Sequence, residues 1–165
     1  MNVEQKVLDL VGKAMGRFSM LRPNDRICVG VSGGKDSLSL LHALVAYKKR
    51  APFPYELVAV TVEQGKFKRP VEALGERIRA LGVEWIIRDD AKTLDLIEQG
   101  IPHGCDVCSR HRRYHLYNIA DELKCTVLAL GHTADDCSES LLRNNLLNGR
   151  KASLPPTAQT TPPKN

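Results

Sequence analysis

Long apolar runs are missing from this 165-residue chain: none approaches the ~18 residues that cross a bilayer as a helix. The opening MNVEQKVLDLVGKAMGRF carries acids and has no continuous apolar centre, so it does not read as a secretory signal. Both absences point to a cytoplasmic protein with no membrane partner. Aromatic residues make up only 5%, which leaves few flat side chains on which bases could stack. No segment repeats. The five cysteines (Cys28, Cys105, Cys108, Cys125 and Cys137) stay reduced in the cytosol, which excludes a disulfide framework. A second C-x-x-C pair is lacking, so the usual four-thiolate zinc module is excluded too.

What remains is an ordinary domain composition, 42% apolar and 26% charged, enough for one domain with a normal core. Net charge is +5, which suits a polyanionic partner such as nucleotide or nucleic acid.

Periodicity and turn residues predict alternating elements. Val3, Val7, Leu8, Val11 and Met15 recur at helical spacing, so residues 1–22 form an N-terminal helical segment with its helix over 3–17. Strands are expected at 27–31, Leu57–Glu63, Val83–Arg88 and Thr126–Leu130. Helices are expected at 35–49, 70–81, 92–99, 106–123 and 135–147, the last closed by Gly149. Strand–helix alternation predicts a Rossmann-like α/β domain over 23–150, an open parallel sheet with helices on both faces. In such sheets ligands bind beyond the carboxyl ends of the strands. The first such end carries SGGKDS and the fourth carries GHTADD. Residues 151–165, rich in Pro and Thr, are expected to be a disordered tail.

Ser32-Gly33-Gly34-Lys35-Asp36-Ser37 joins a strand to a helix. Glycines let backbone N–H groups approach an anion, the helix N-terminus adds partial positive charge, and Lys35 adds a full one. Ser32 and Ser37 offer hydroxyls, and Asp36 can orient the loop or hold Mg²⁺ through water. The spacing differs from the Walker pattern. SGGKDS resembles the pyrophosphate loop of the PP-loop ATP pyrophosphatases. Gly131-His132-Thr133-Ala134-Asp135-Asp136 resembles that family's second motif beside the nucleotide. Val60-Thr61-Val62-Glu63-Gln64 stands where the segment flanking the adenosine is found.

The pair Cys105-x-x-Cys108 opens a helix, where the helix field favours thiolates. Such a pair can bind metal, carry persulfide sulfur or exchange disulfides. A thioredoxin-type motif would follow the first strand, and this pair comes later. Cys108, His111 and His115 share one helical face by their spacing, which leaves a compact zinc site and a solvated basic face both open.

CSRHRR, together with SGGKDS and GH-x-x-DD, resembles the tRNA 2-thiocytidine synthetase branch of the PP-loop thiolases, over roughly residues 20–156. The resemblance implies ATP, Mg²⁺ and a four-iron four-sulfur cluster held by three cysteines, with Cys105 and Cys108 as two of the ligands. It further implies catalytic roles for Lys35, Asp36, Cys105 and Cys108, and nucleotide contacts from Ser32, Gly33, Gly34, Lys35, Asp36, Ser37, Glu63, Gly131, His132 and Asp136. Asp136 is the expected Mg²⁺ ligand, although helix capping suits an aspartate there equally well. The implied partners are tRNA and a sulfur donor such as a cysteine desulfurase. Arg110, Arg112, Arg113, Lys124, Arg143, Arg150 and Lys151 are candidates to neutralise RNA phosphates. The family adds a further strand, helix and cysteine pair, whereas here no cysteine follows Cys137. The fourth strand is then an exposed edge. Three situations fit: a fragment, an oligomer such as a homodimer that covers the edge, or a degenerate relative. Cluster-free sulfur transfer and ATP binding without catalysis are the competing readings.

Overall fold

The computed structural model describes residues 2–67, 70–102 and 104–159, without the side chains of Cys105 and Asp106. The elements are α1 (Val3–Arg17), β1 (Arg26–Gly30), α2 (Lys35–Tyr47), β2 (Glu56–Glu63), α3 (Val71–Ala80), β3 (Glu84–Asp89), α4 (Ala91–Glu98), α5 (Cys105–Glu122), β4 (Val127–Leu130) and α6 (Ala134–Asn148). All four strands pair in parallel, in the order β3-β2-β1-β4.

Ile27, Cys28 and Val29 are fully buried, as expected of a central parallel strand covered on both faces. Successive side chains of a strand point to opposite faces, and that alternation divides the core in two. Ile27, Val29 and Ala59 pack with Leu41 and Leu44 of α2 and with Leu74 and Ile78 of α3. Cys28, Val58 and Val60 pack on the other face with Leu116, Ile119 and Ala120 of α5. The expected two-sided parallel sheet is thus what the chain builds. α1 lies against α2, where Gly12 sits so near Tyr47 that a Cβ would stand 3.1 Å from its ring.

The chain runs β1 to β2 to β3 in one direction across the sheet, then returns to the far side of β1 for β4. That reversal is the switch point where open α/β sheets bind ligands. Gly30 pairs with Leu130, so the loops after β1 and β4 leave the sheet side by side although about a hundred residues separate them in sequence.

β4 is an edge of the four-stranded sheet, and each of its residues is only half-buried. α6 buries none of its residues; Leu142, Leu146 and Leu147 are exposed, the last two by 79% and 76%. Residues 151–159 form no helix or strand, yet they lie back on α6: Ser153 Oγ donates to Cys137 O at 2.8 Å, and Asn144 Nδ2 donates to Ala152 O at 2.8 Å. The rest of the expected tail, 160–165, lies outside the described residues.

Candidate functional site

β1 leads through Val31 and Ser32 into Gly33, whose φ of +78° is left-handed and suits only glycine. A side chain there would also stand 3.0 Å from the Phe67 ring. Ser37 curls the loop. Its Oγ accepts from Ser32 N at 3.2 Å and donates to Gly34 O at 3.0 Å. Gly34 begins α2 without a side-chain cap, so the first-turn N–H groups are oriented for an anion.

The loop after β4 sits directly against this one. A Cβ on Gly131 would stand 2.9 Å from both Cα and N of Ser37, so only glycine lets the two backbones touch. Thr133 then caps α6 in a reciprocal box: its N and Oγ1 donate to Asp136 Oδ2 at 2.5 and 2.9 Å, and Asp136 N donates back to Thr133 Oγ1. Hydrogen bonds from the Thr133 amide and hydroxyl hold the Asp136 carboxyl below the usual carboxylate range. Both bonds use Oδ2, which leaves Oδ1 to other work.

Between the loops and α5 lies an open cleft of about 290 Å³. Ser32, Gly34, Asp36 and Ser37 form one wall, and Gly131, His132 and Asp136 continue it. Val60, Val62 and Leu130 supply apolar surface. Ser109, Arg112, Arg113 and Leu116 of α5 form the remaining wall. Three residues expected at the nucleotide stand just outside it. Gly33 turns beneath the loop, and Glu63 Oε1 accepts from Gly65 N at 2.6 Å. The Lys35 side chain is 91% exposed, with Nζ 3.9 Å from Asp36 Oδ1. An ion pair that exposed contributes little, so the ammonium is free to move.

A model of the PP-loop domain family matches residues 1–161. The chain belongs to that family. Among curated PP-loop relatives, it is 41% identical over 157 residues to a tRNA-cytidine(32) 2-sulfurtransferase from Polynucleobacter asymbioticus, covering 93% of this chain and 52% of that one. A protein of the same name from Anaeromyxobacter dehalogenans is 40% identical over 167 residues, covering 99% and 57%. The chain thus spans about half the length of the curated relatives it matches. Among solved structures, the U34-tRNA thiolase NcsA from Methanococcus maripaludis, determined with its [4Fe-4S] cluster, superposes with a TM-score of 0.74 at 29% identity, over 88% of this chain and 50% of that one. The NH3-dependent NAD synthetase of Campylobacter jejuni shares the fold, with a TM-score of 0.56 at 17% identity over 90% of this chain and 61% of that one.

The PP-loop chain carries its cysteine pair on the first turn of α5. Cys108 is buried, and Lys66 Nζ donates to its Sγ at 2.9 Å. Cys105 begins the helix three residues earlier, with its side chain outside the described atoms. Among the described residues no three His, Cys, Asp or Glu side chains are arranged to hold a metal ion. Cys108 therefore fits a soft metal as one thiolate donor, and the described donors fall short of a complete cluster site. For Mg²⁺ the fit is better: Asp36 and Asp136 line the same cleft, and this ion commonly takes one or two carboxylates plus substrate phosphates.

The zinc arrangement of Cys108, His111 and His115 is corrected by what those residues touch. His111 Nδ1 and His115 Nε2 lie 3.6 and 3.4 Å from Oδ1 of Asp90, a carboxylate that is 1% exposed. Asp90 also caps α4, accepting from Thr93 N and Oγ1, and it accepts from Gln64 Nε2 at 2.8 Å. Gln64 Nε2 in turn donates to Cys108 O at 2.9 Å. The face that carries the histidines is half-buried and rests on the buried Asp90, rather than being a fully solvated basic surface. Sequence reasoning missed Asp90, although Asp90-x-x-Thr93 before a helix is a recognisable cap signal. Burial raises the Asp90 pKa, but the hydrogen bonds from Thr93 and Gln64, with His115 nearby, outweigh it and hold the group below the ordinary value.

Cys28 and Cys125 are packing residues of the core between the sheet and α5. Cys28 is fully buried, and burial pushes its thiol up to about 12. Cys125 packs beside the same cluster, and burial raises it as well. Cys137 is half-buried on α6.

Proposed function

We propose that this chain, with residues 23–150 as its domain, performs the ATP-using part of tRNA 2-thiocytidine formation in the cytoplasm. One observation carries this reading. The glycine loop and the second motif meet at the β1/β4 switch point, in a cleft whose remaining wall is the helix that bears the cysteine pair. ATP activation and sulfur delivery are thereby neighbours.

Cytidine O2 is a poor leaving group. In the first step it attacks the α-phosphorus of ATP; an O–P bond forms, the α–β bridging bond breaks, and pyrophosphate leaves. The amides at Gly33 and Gly34 and the Ser32 and Ser37 hydroxyls hold the phosphates. Lys35 swings in from solvent to offset the charge that builds on the leaving group. Asp36 and Asp136 would hold Mg²⁺, which would offset charge on the phosphates. Val60 and Val62 offer apolar surface to the adenine, with Glu63 at the edge and Gly131 and His132 beside the ribose. In the second step sulfur replaces the activated oxygen and AMP leaves. Cys105 and Cys108 would supply two of the ligands of a 4Fe-4S cluster, and the chemistry such a group supplies is delivery of nucleophilic sulfur. The partners are tRNA and a sulfur donor such as a cysteine desulfurase, with homodimerisation able to cover the β4 edge.

Lys35→Ala is expected to weaken ATP binding at least about tenfold, the worth of a charged hydrogen bond. Calorimetric titration returning wild-type affinity would remove Lys35 from the site. Anaerobic iron–sulfur reconstitution followed by pyrophosphate release with tRNA tests the whole reading: ATP binding without tRNA-stimulated pyrophosphate release leaves only a nucleotide-binding protein. A second reading, cluster-free transfer from persulfide on Cys108, is favoured by the Lys66 contact to its sulfur. Iron uptake that is lost in Cys105→Ala and Cys108→Ala would decide against it.

A further inference from the structure

α5 is used on two faces, and on the one that meets the cleft Leu116 packs into the core while the arginines beside it have no partner among the described residues. Gln64 donates to the backbone oxygen of Cys108, and His111 and His115 face Asp90, so this side of the helix is fixed against the sheet. Ser109, Arg112, Arg113 and Leu116 follow the i, i+3, i+4, i+7 rule of a single stripe, and all four line the cleft. Among the described residues neither Arg112 nor Arg113 has a hydrogen-bond or ion-pair partner. Each guanidinium brings five N–H donors in a planar fork suited to phosphate oxygens.

Charge decides what they meet. Asp36 and Asp136 line the same cleft, and alone they would repel an anion. Two arginines opposite two carboxylates make the cleft near neutral, and a divalent cation on the carboxylates makes it clearly positive. A single RNA phosphodiester needs no such concentration of charge, whereas a triphosphate does. The cleft is also small, so the arginines contact whatever the glycine loop holds.

We propose that Arg112 and Arg113 bind the polyphosphate of ATP from the side opposite the glycine loop, gripping it between α2 and α5. This rests on the reading of the cleft as an ATP site. It also means that the helix carrying the cysteines is itself a nucleotide-binding element, so ATP aligns the sulfur site when it binds.

The test uses the full chain and its Arg112→Gln, Arg113→Gln, double and Arg112→Lys variants, titrated with Mg·ATP, AMP and inorganic pyrophosphate. Binding of unmodified tRNA without nucleotide is measured alongside. Each single change to glutamine should weaken ATP and pyrophosphate binding about tenfold and the double change about a hundredfold. AMP should change least, and lysine at 112 should restore part of the loss. tRNA binding should stay within about threefold of wild type, since removing two charges from a broad basic surface matters little. Both arginines are at least partly exposed, so melting temperatures without nucleotide should match wild type. Wild-type ATP affinity in the double variant would overturn the proposal, as would a loss confined to tRNA binding, which would assign the arginines to RNA. If the wild-type chain binds no ATP at all, the nucleotide reading fails first and independently of the arginines.

Discussion

Asp90 shows how one side chain orders a site it does not line. Its oxygens take hydrogen bonds from Thr93 and Gln64 and face two imidazoles, so β2, α4 and α5 meet at one carboxylate. Its pKa is lowered by those bonds, so the ionised form is the one the fold prefers. The stabilisation is therefore complete above the ordinary value of 3.8 and is lost as pH falls through the lower, folded value. Asp90→Asn should cost about 2 kcal/mol at neutral pH, the worth of a buried charged hydrogen bond. The difference from wild type should shrink on acidification to about pH 3. Urea unfolding at both pH values checks this; a penalty that does not change with pH would mean the charge is irrelevant. At this scale the sequence was partly readable. Ser32, Gly34, Asp36, Ser37, Gly131, His132 and Asp136 meet in the cleft because motif glycines and caps act through local backbone geometry. Lys66 and the wider role of Asp90 escaped notice because Cys108, His111 and His115 lie on α5, distant in sequence. Tertiary contacts of that kind leave no periodic trace.

Helices and strands were the most legible elements, since burial follows period 3.6 or 2 along contiguous residues. What periodicity did not reveal is how closely some elements approach. Gly75 of α3 lies under Trp85 of β3, where an added Cβ would stand 2.2 Å from the indole ring. Alanine is worth ~1 kcal/mol more than glycine inside a helix. Here forced displacement of the ring should win, at about 1–3 kcal/mol. It should also disturb the bond that Trp85 Nε1 donates to Thr61 Oγ1. Gly75→Ala is thus expected to lower the melting temperature and shift the tryptophan emission of this single-tryptophan chain. A stabilised variant would mean α3 moves away from β3 without cost.

For the whole molecule, strand–helix alternation was enough to give the parallel two-faced sheet, and motif placement identified the strand ends that meet. The strand order, by contrast, rests on which faces pack together, and that is spread over the entire chain. The same order leaves β4 as an edge and α6 with an apolar surface. Contiguous exposed apolar surface drives association. The double substitution Leu146→Glu and Leu147→Glu should lower self-association in sedimentation experiments while shifting the melting temperature by no more than about 4 °C, as two surface changes usually do. Unchanged sedimentation would show that these leucines hold no contact between copies.

Pairing of β1 with β4 also sets a timetable. As a ribosome extends the chain, β1 and its glycine loop emerge early and can join β2 and β3 while β4 is still unmade. The Gly131–Asp136 half of the cleft follows about a hundred residues behind the first. Nascent chains shorter than that have only half of the proposed nucleotide cleft. On the proposed reading of the cleft, bound nucleotide would by mass action favour chains in which β4 has docked beside β1 over chains in which it has not.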